Sequence, residues 1–168
     1  MDLTSGSPFW LTRHGLPPRF PVLDEDLSCD VAVIGGGVSG ALVSDALSGA
    51  GLRTVVLDKH YPGTGSTAAS TALLQFEVDV LLRELRLRAA TPADADEAWR
   101  AVYRAFRRVG AIAAELGPEE VGFSPTTSLY LAASRSELRE LALEVEARHH
   151  IGLPGQFLVH SDVQSRYG

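Results

Sequence analysis

Three features of the 168-residue chain predict an α/β fold. Two short apolar runs, Val31-Ala32-Val33-Ile34 and Thr54-Val55-Val56-Leu57, flank a glycine cluster and a helix-length stretch. A long segment from Pro92 to Leu116 repeats apolar residues every three or four positions, as an amphipathic helix does. The composition is ordinary for a globular chain, with 45% hydrophobic and 21% charged residues.

Residues 1–28 read as an N-terminal arm without regular structure. Pro8, Pro17, Pro18 and Pro21 punctuate it and deny ladder and helix bonds, while Phe9, Trp10 and Phe20 suggest that it packs on something. At Val31–Ile34 the wholly apolar run predicts a buried parallel strand. Val38 to Gly49 predicts a helix, stopped by Gly51, and Thr54–Leu57 a second buried strand ending at Asp58. Strand, helix and strand within about 30 residues make a βαβ unit. Residues 62–72 are small and polar. From Phe76 the chain reads as helical, with Val78, Leu81, Leu82, Leu85 and Leu87 on a rough apolar face.

In the Pro92–Leu116 helix, Thr91 is the cap and Pro92 takes the first position, where a missing N–H costs nothing. Trp99, Val102, Phe106, Val109, Ile112 and Leu116 form its apolar stripe, and Gly117 ends it. Ser128–Leu131 and Gln156–Val159 read as strands. Between them Ser134-Arg135-Ser136-Glu137 is a capping box opening a helix to about His150. Ser161-Asp162-Val163-Gln164 looks like a second capping box, so the chain stops at Gly168 just after opening an element.

A net charge of −6 argues against phosphate-backbone binding, so no nucleic-acid partner is expected. No apolar run reaches the ~18 residues of a membrane span. There is no basic region followed by an apolar core at the N-terminus, so no secretory signal is expected. The single cysteine, Cys29, reads as a small buried residue, and the five histidines lack metal-ligand spacing, so no metal is expected. The expectation is a cytoplasmic protein; nothing in the sequence fixes an oligomeric state.

The glycines fall as Gly35-Gly36-Gly37-Val38-Ser39-Gly40, giving G-x-G-x-x-G at 35, 37 and 40. Alone the pattern is weak. Here it lies between an expected strand and an expected helix, and an acid, Asp58, closes the second strand 18 residues after Gly40. That context marks a Rossmann-type dinucleotide fingerprint. Gly35 permits the tight turn, Gly37 leaves room for a pyrophosphate, and Gly40 lets the helix pack close. The helix N-terminus offers unpaired N–H groups to the phosphates. Asp58 suits a ribose hydroxyl and repels the extra phosphate of NADP. Lys59, the only lysine, reads either as a neighbour of the adenosine or as a plain surface residue. The fingerprint is shared by NAD and FAD; the small-residue segment directly after Asp58 favours FAD, because it permits close approach to a flat, bulky ring.

At these residues the chain resembles the D-amino-acid oxidase-like FAD-dependent oxidoreductases, which include glycine oxidase and sarcosine oxidase. The resemblance rests on residues 29–59, on Gly63–Asp79, and on the leader Ser7–Leu27, which is similar to that of relatives of γ-glutamylputrescine oxidase. Residues from Ser128 to Leu158 resemble the start of that family's substrate domain, so it covers nearly the whole chain. It implies FAD as cofactor, held by Gly35, Gly37, Val38, Ser39 and Gly40 at the pyrophosphate. Asp58, where the family commonly has glutamate, would meet the ribose. Gly65, Ser66, Thr67 and Ala68 would reach phosphate and ribityl groups; Ser70, Thr71, Ala72 and Leu73 would approach the isoalloxazine. Many relatives have glycine where this chain has Ser70 or Thr71.

The implied activity is hydride transfer from a small amine or amino acid to flavin N5. The implied organisation is an arm (1–28), an FAD-binding segment (29–75) and a helical segment with the beginning of an α+β substrate domain (76–168). Family members are more than twice as long, so the chain looks like an N-terminal fragment. A non-catalytic nucleotide-binding fragment and an NAD-dependent enzyme remain as alternatives.

Other candidates are plainer. Glu77 and Asp79 lie two apart and do not share a helix face. Arg83, Arg86, Arg100, Arg104, Arg107 and Arg108 alternate with acids on solvated faces. Tyr130 reads as a packed residue of the Ser128–Leu131 strand, with a place facing a substrate cavity as the alternative. His149 and His150 suit a helix C-terminus. No catalytic residue is assigned.

Overall fold

In the computed structural model, which describes residues 6–77 and 79–167, the chain forms two units that divide between Leu73 and Leu74. The first holds α1 (Phe9–His14), β1 (Val31–Ile34), α2 (Val38–Gly49) and β2 (Thr54–Leu57). The second holds α3 (Leu82–Arg88), α4 (Pro92–Glu115), α5 (Arg135–His150) and α6 (His160–Tyr167). No helix among the described residues is long and apolar enough to cross a membrane.

β1 and β2 pair in parallel, in a register running from Val31 opposite Thr54 to Ile34 opposite Leu57. Helix α2 is the crossover that a parallel pair requires. It leaves through Gly51, whose φ of +83° lets the Leu52 amide turn back to the Leu47 carbonyl. At the foot of the sheet Asp30 accepts from the Arg53 amide at 2.9 Å and from its guanidinium at 2.8 Å.

Two expectations for this unit are corrected. The arm is not wholly irregular, since Phe9–His14 closes a short helix ended by Gly15 at φ +78°. Nor are the strands buried. Val31 and Val33 are half-buried, while Ala32 is exposed and Ile34 is 79% exposed. Among the described residues the sheet has two strands, so only the face toward α2 gains a cover. Cys29, expected to be buried, is half-buried.

The second unit is organised by α4. Thr91 accepts from the Asp94 amide, and the Asp94 carboxylate accepts from the Thr91 amide at 2.9 Å, a complete capping box with Pro92 at the first turn. Trp99 lies 2% exposed at the centre of a core with Leu82, Ala95, Ile151 and Leu153. Phe76, Tyr103 and Phe106 extend that core as an aromatic cluster. The one buried acid among the described residues, Glu144 on α5, accepts from the Leu82 amide at 2.8 Å and the Arg83 amide at 3.0 Å, capping α3 across the core. Its charge is matched by Arg148, one turn on, whose guanidinium also pairs with Glu77 and lies 4.6 Å from the Trp99 ring centre.

Here too the sequence reading needs correction. The helix expected from Phe76 starts only at Leu82; Val78 lies outside the described residues. Ser128–Leu131 and Gln156–Val159 are not strands. An apolar run becomes a strand only where a neighbour completes its ladder, and neither segment has one. Tyr130 accordingly is 69% exposed rather than packed. Ser134 caps α5, but Glu137 reaches the Ala133 amide instead of that of Ser134. Helix α6 begins before Ser161, with Asp162 accepting from the Val159 amide, so the second capping box does not form.

Candidate functional site

The site is built where β1 ends. The Gly35 amide still bonds the Leu57 carbonyl, the last rung of the sheet, and Gly35 then takes φ +102°, a conformation that side chains oppose. Helix α2 turns back so tightly that a Cβ on Gly40 would stand 1.9 Å from the Gly35 carbonyl oxygen. Glycine at 40 is therefore a packing requirement of the strand-to-helix turn.

The bend leaves amides without partners. Among the described residues, the Gly37, Ser39 and Gly40 amides have no acceptor. They are first-turn amides of a helix, which carries a partial positive charge at that end. The Val38 amide donates to the Thr67 hydroxyl at 2.9 Å. A Cβ on Gly37 would meet that same hydroxyl at 3.2 Å. Thr67 is thus drawn onto the helix end by its own hydrogen bond.

Asp58 faces the same bend. Its Oδ2 accepts from the Gly36 amide at 2.6 Å, and its Oδ1 from the His60 amide at 2.8 Å. These bonds, that from Gly36 first, hold the carboxyl below the ordinary aspartate range, so it is charged at neutral pH. Each oxygen keeps lone-pair capacity for a further donor. Lys59 is exposed and makes no hydrogen bond or ion pair among the described residues.

The small-residue segment folds back over the glycines. The Gly63 amide bonds the Gly36 carbonyl at 2.9 Å. Successive turns follow, from Ala68 to Gly65, Ala69 to Ser66 and Ser70 to Thr67, and they bury Ala68 to 5% exposure. Gly65 and Ser66 are exposed on these turns. Ser70, Thr71, Ala72 and Leu73 then run exposed, with Ala72 at φ +54°, the one described non-glycine residue with positive φ.

The structure therefore brings Gly35, Gly37, Val38, Ser39, Gly40, Asp58 and Thr67 to one bend. Lys59 stands beside it without contact, and residues 70–73 lie further along the folded-back segment. Two contacts were not anticipated. Gly36, the unassigned member of the cluster, binds Asp58. Trp10 of α1 donates its indole N–H to the Ser70 carbonyl at 2.8 Å. An isolated tryptophan in a proline-rich arm gives no spacing signal for such a partner.

The bend carries groups that suit a phosphate-bearing ligand: three amides without acceptors, a Gly37 with no Cβ beside the Thr67 hydroxyl, and a fixed carboxylate. The cradle that Gly37 leaves open, which a Cβ would narrow, is what a pyrophosphate needs. A relative from Bacillus subtilis (strain 168), named "Putative Rieske 2Fe-2S iron-sulfur protein YhfW", is 37% identical over 76 residues. That match spans 45% of this chain and 15% of the relative's length. No solved structure matches the chain. The model of the DAO family, FAD dependent oxidoreductase, matches residues 30–167, so this chain belongs to the FAD-dependent oxidoreductase family, whose cofactor is FAD.

Proposed function

We propose that the protein, or the longer protein of which these residues form part, oxidises a small amine or amino acid with FAD, in the manner of the glycine and sarcosine oxidases and of γ-glutamylputrescine oxidase. Family membership supports the cofactor and the reaction class. The observation that carries the site assignment is the set of free amides at Gly37, Ser39 and Gly40, faced by Thr67 and Asp58.

In this reading Gly35 and Gly40 shape the turn. The amides of Gly37, Ser39 and Gly40 bind the pyrophosphate, with Val38 at the helix end. Asp58 accepts from the ribose hydroxyls, with Lys59 near the adenosine. Gly65, Ser66, Thr67 and Ala68 line the phosphate and ribityl portion, and Ser70, Thr71, Ala72 and Leu73 line the isoalloxazine. Residues 29–75 make up the cofactor segment, after the arm of residues 1–28, and residues 76–168 begin the substrate domain. FAD supplies, when bound, the acceptor for a hydride leaving the carbon that bears the substrate's nitrogen. The protein's own work is to bind and orient; no acid or base of this chain is assigned to the reaction.

The relative's Rieske name brings no cluster to these residues. Such a centre takes two cysteines and two histidines, and the chain has one cysteine.

Titration of the purified protein with FAD, ADP and NADH tests the reading. Tight FAD binding with a yellow, flavin-absorbing product is expected. Preference for NADH over FAD overturns it in favour of a nicotinamide enzyme. FAD binding without turnover of any amine by the full-length protein removes the amine oxidation and leaves a nucleotide-binding module.

A further inference from the structure

Among the described residues, one hydrogen bond and one cation–ring approach join the arm to the cofactor segment. The Arg19 guanidinium lies 5.7 Å from the Tyr61 ring centre, and the Trp10 indole N–H bonds the Ser70 carbonyl. Trp10 is itself braced, with Phe9 edge-on at 4.9 Å and His14 stacked at 6.1 Å. The other hydrogen bonds of residues 70–73 are local. Ser70 Oγ donates to the Thr67 carbonyl and accepts from the Ala72 amide, and Thr71 Oγ1 accepts from the Leu73 amide. Among the described residues, Trp10 makes the one hydrogen bond that reaches residues 70–73 from outside the folded-back stretch 62–73. Two residues on, Ala72 holds a left-handed conformation that L-residues keep only where the surroundings impose it.

We propose that Trp10 is a positioning residue for the cofactor: its indole N–H, acting through the Ser70 carbonyl, fixes the backbone path of residues 70–73. The proposal rests on the function above, in which that stretch meets the isoalloxazine while the glycine bend holds the diphosphate. It assigns the arm a task in ring placement that is separable from diphosphate binding.

The test is Trp10→Phe, which keeps an aromatic ring and removes the donor. FAD and ADP are titrated into both proteins, and amide hydrogen exchange is followed at Ala72 and Leu73 without cofactor. Loss of one net hydrogen bond predicts about fivefold weaker FAD binding, with ADP binding unchanged. The visible circular dichroism of bound flavin changes, and exchange at Ala72 and Leu73 accelerates. An unchanged FAD-to-ADP affinity ratio, or unchanged exchange, overturns the role of Trp10 and leaves the FAD site standing. Equal losses for FAD and ADP also overturn it, since they indicate general support of the unit. Wild-type protein that binds neither ligand overturns the proposed function itself and this inference with it.

Discussion

The Thr67 hydroxyl accepts the Val38 amide proton at 2.9 Å, so a side chain from beyond the second strand caps the helix that follows the first. The hydroxyl's own proton remains free to donate outward. Thr67→Val keeps the shape and removes both functions. An N-cap loss of this kind costs about 1 kcal/mol of stability. FAD binding weakens about fivefold through the lost donor. Urea unfolding and FAD titration read the two effects separately, and unchanged values in both would remove Thr67 from the site.

Glycines of α2 differ in what they do, and substitution separates them. Gly40→Ala places a methyl 1.9 Å from the Gly35 carbonyl oxygen, a backbone atom that cannot step aside without opening the sheet-to-helix turn. The expected result is loss of cooperative folding of the first unit. Gly49→Ala meets nothing within 4 Å and gains the helix propensity that glycine lacks, stabilising by about 0.5–1 kcal/mol. Thermal unfolding of the two variants, followed by circular dichroism, checks the contrast.

The same residues show how far the sequence can be read. The boundaries of α2 and of both strands follow from apolar runs, glycine stops and the acid at Asp58, because each is set by neighbours in the chain. The bonds of Asp58 to Gly36 and of Thr67 to Val38 join residues 22 and 29 positions apart, and no local pattern encodes them. The readings of Ser128–Leu131 and Gln156–Val159 failed for a related reason. Strand propensity describes fit to a half-buried pleated surface, and that surface is absent there. Ile34 and Val56, read as buried, stand 79% and 41% exposed on a sheet of two strands. Ile34→Lys is accordingly expected to reduce self-association in light scattering without lowering the melting temperature; a drop in stability would show that this face is covered in solution.

In the second unit the strongest single dependence is on Glu144. Its carboxylate, with a side chain 3% exposed, answers two amides of α3 and the Arg148 guanidinium together. Glu144→Leu strands all three donors and leaves a guanidinium that is 12% exposed with Glu77 as its remaining acid. The expected cost is about 3–5 kcal/mol. Glu144→Gln, which keeps one acceptor, costs less. Chemical denaturation of the pair tests the ordering, and a Gln variant as stable as the wild type would refute the charge's part in it.

Acid should loosen the glycine bend at a pH set by Asp58. The folded-state pKa lies below the ordinary 3.8, because the Gly36 amide and then the His60 amide favour the charged form. A depressed pKa gives a contribution to stability that is complete above the unfolded value. It declines as pH falls from 3.8 through the lower folded value, where the carboxylate takes up its proton. Asp30, held low by the Arg53 guanidinium, and Glu97, held low by Arg104, titrate in the same direction, so a global acid unfolding curve mixes the three. The Gly36 amide is the specific probe. Its NMR shift should move with a midpoint below 3.8 in the wild type and lose that inflection in Asp58→Asn. A midpoint above 3.8 would mean that the carboxylate does not hold this bend in solution, and that the acid facing the free amides of Gly37, Ser39 and Gly40 is available to other partners instead.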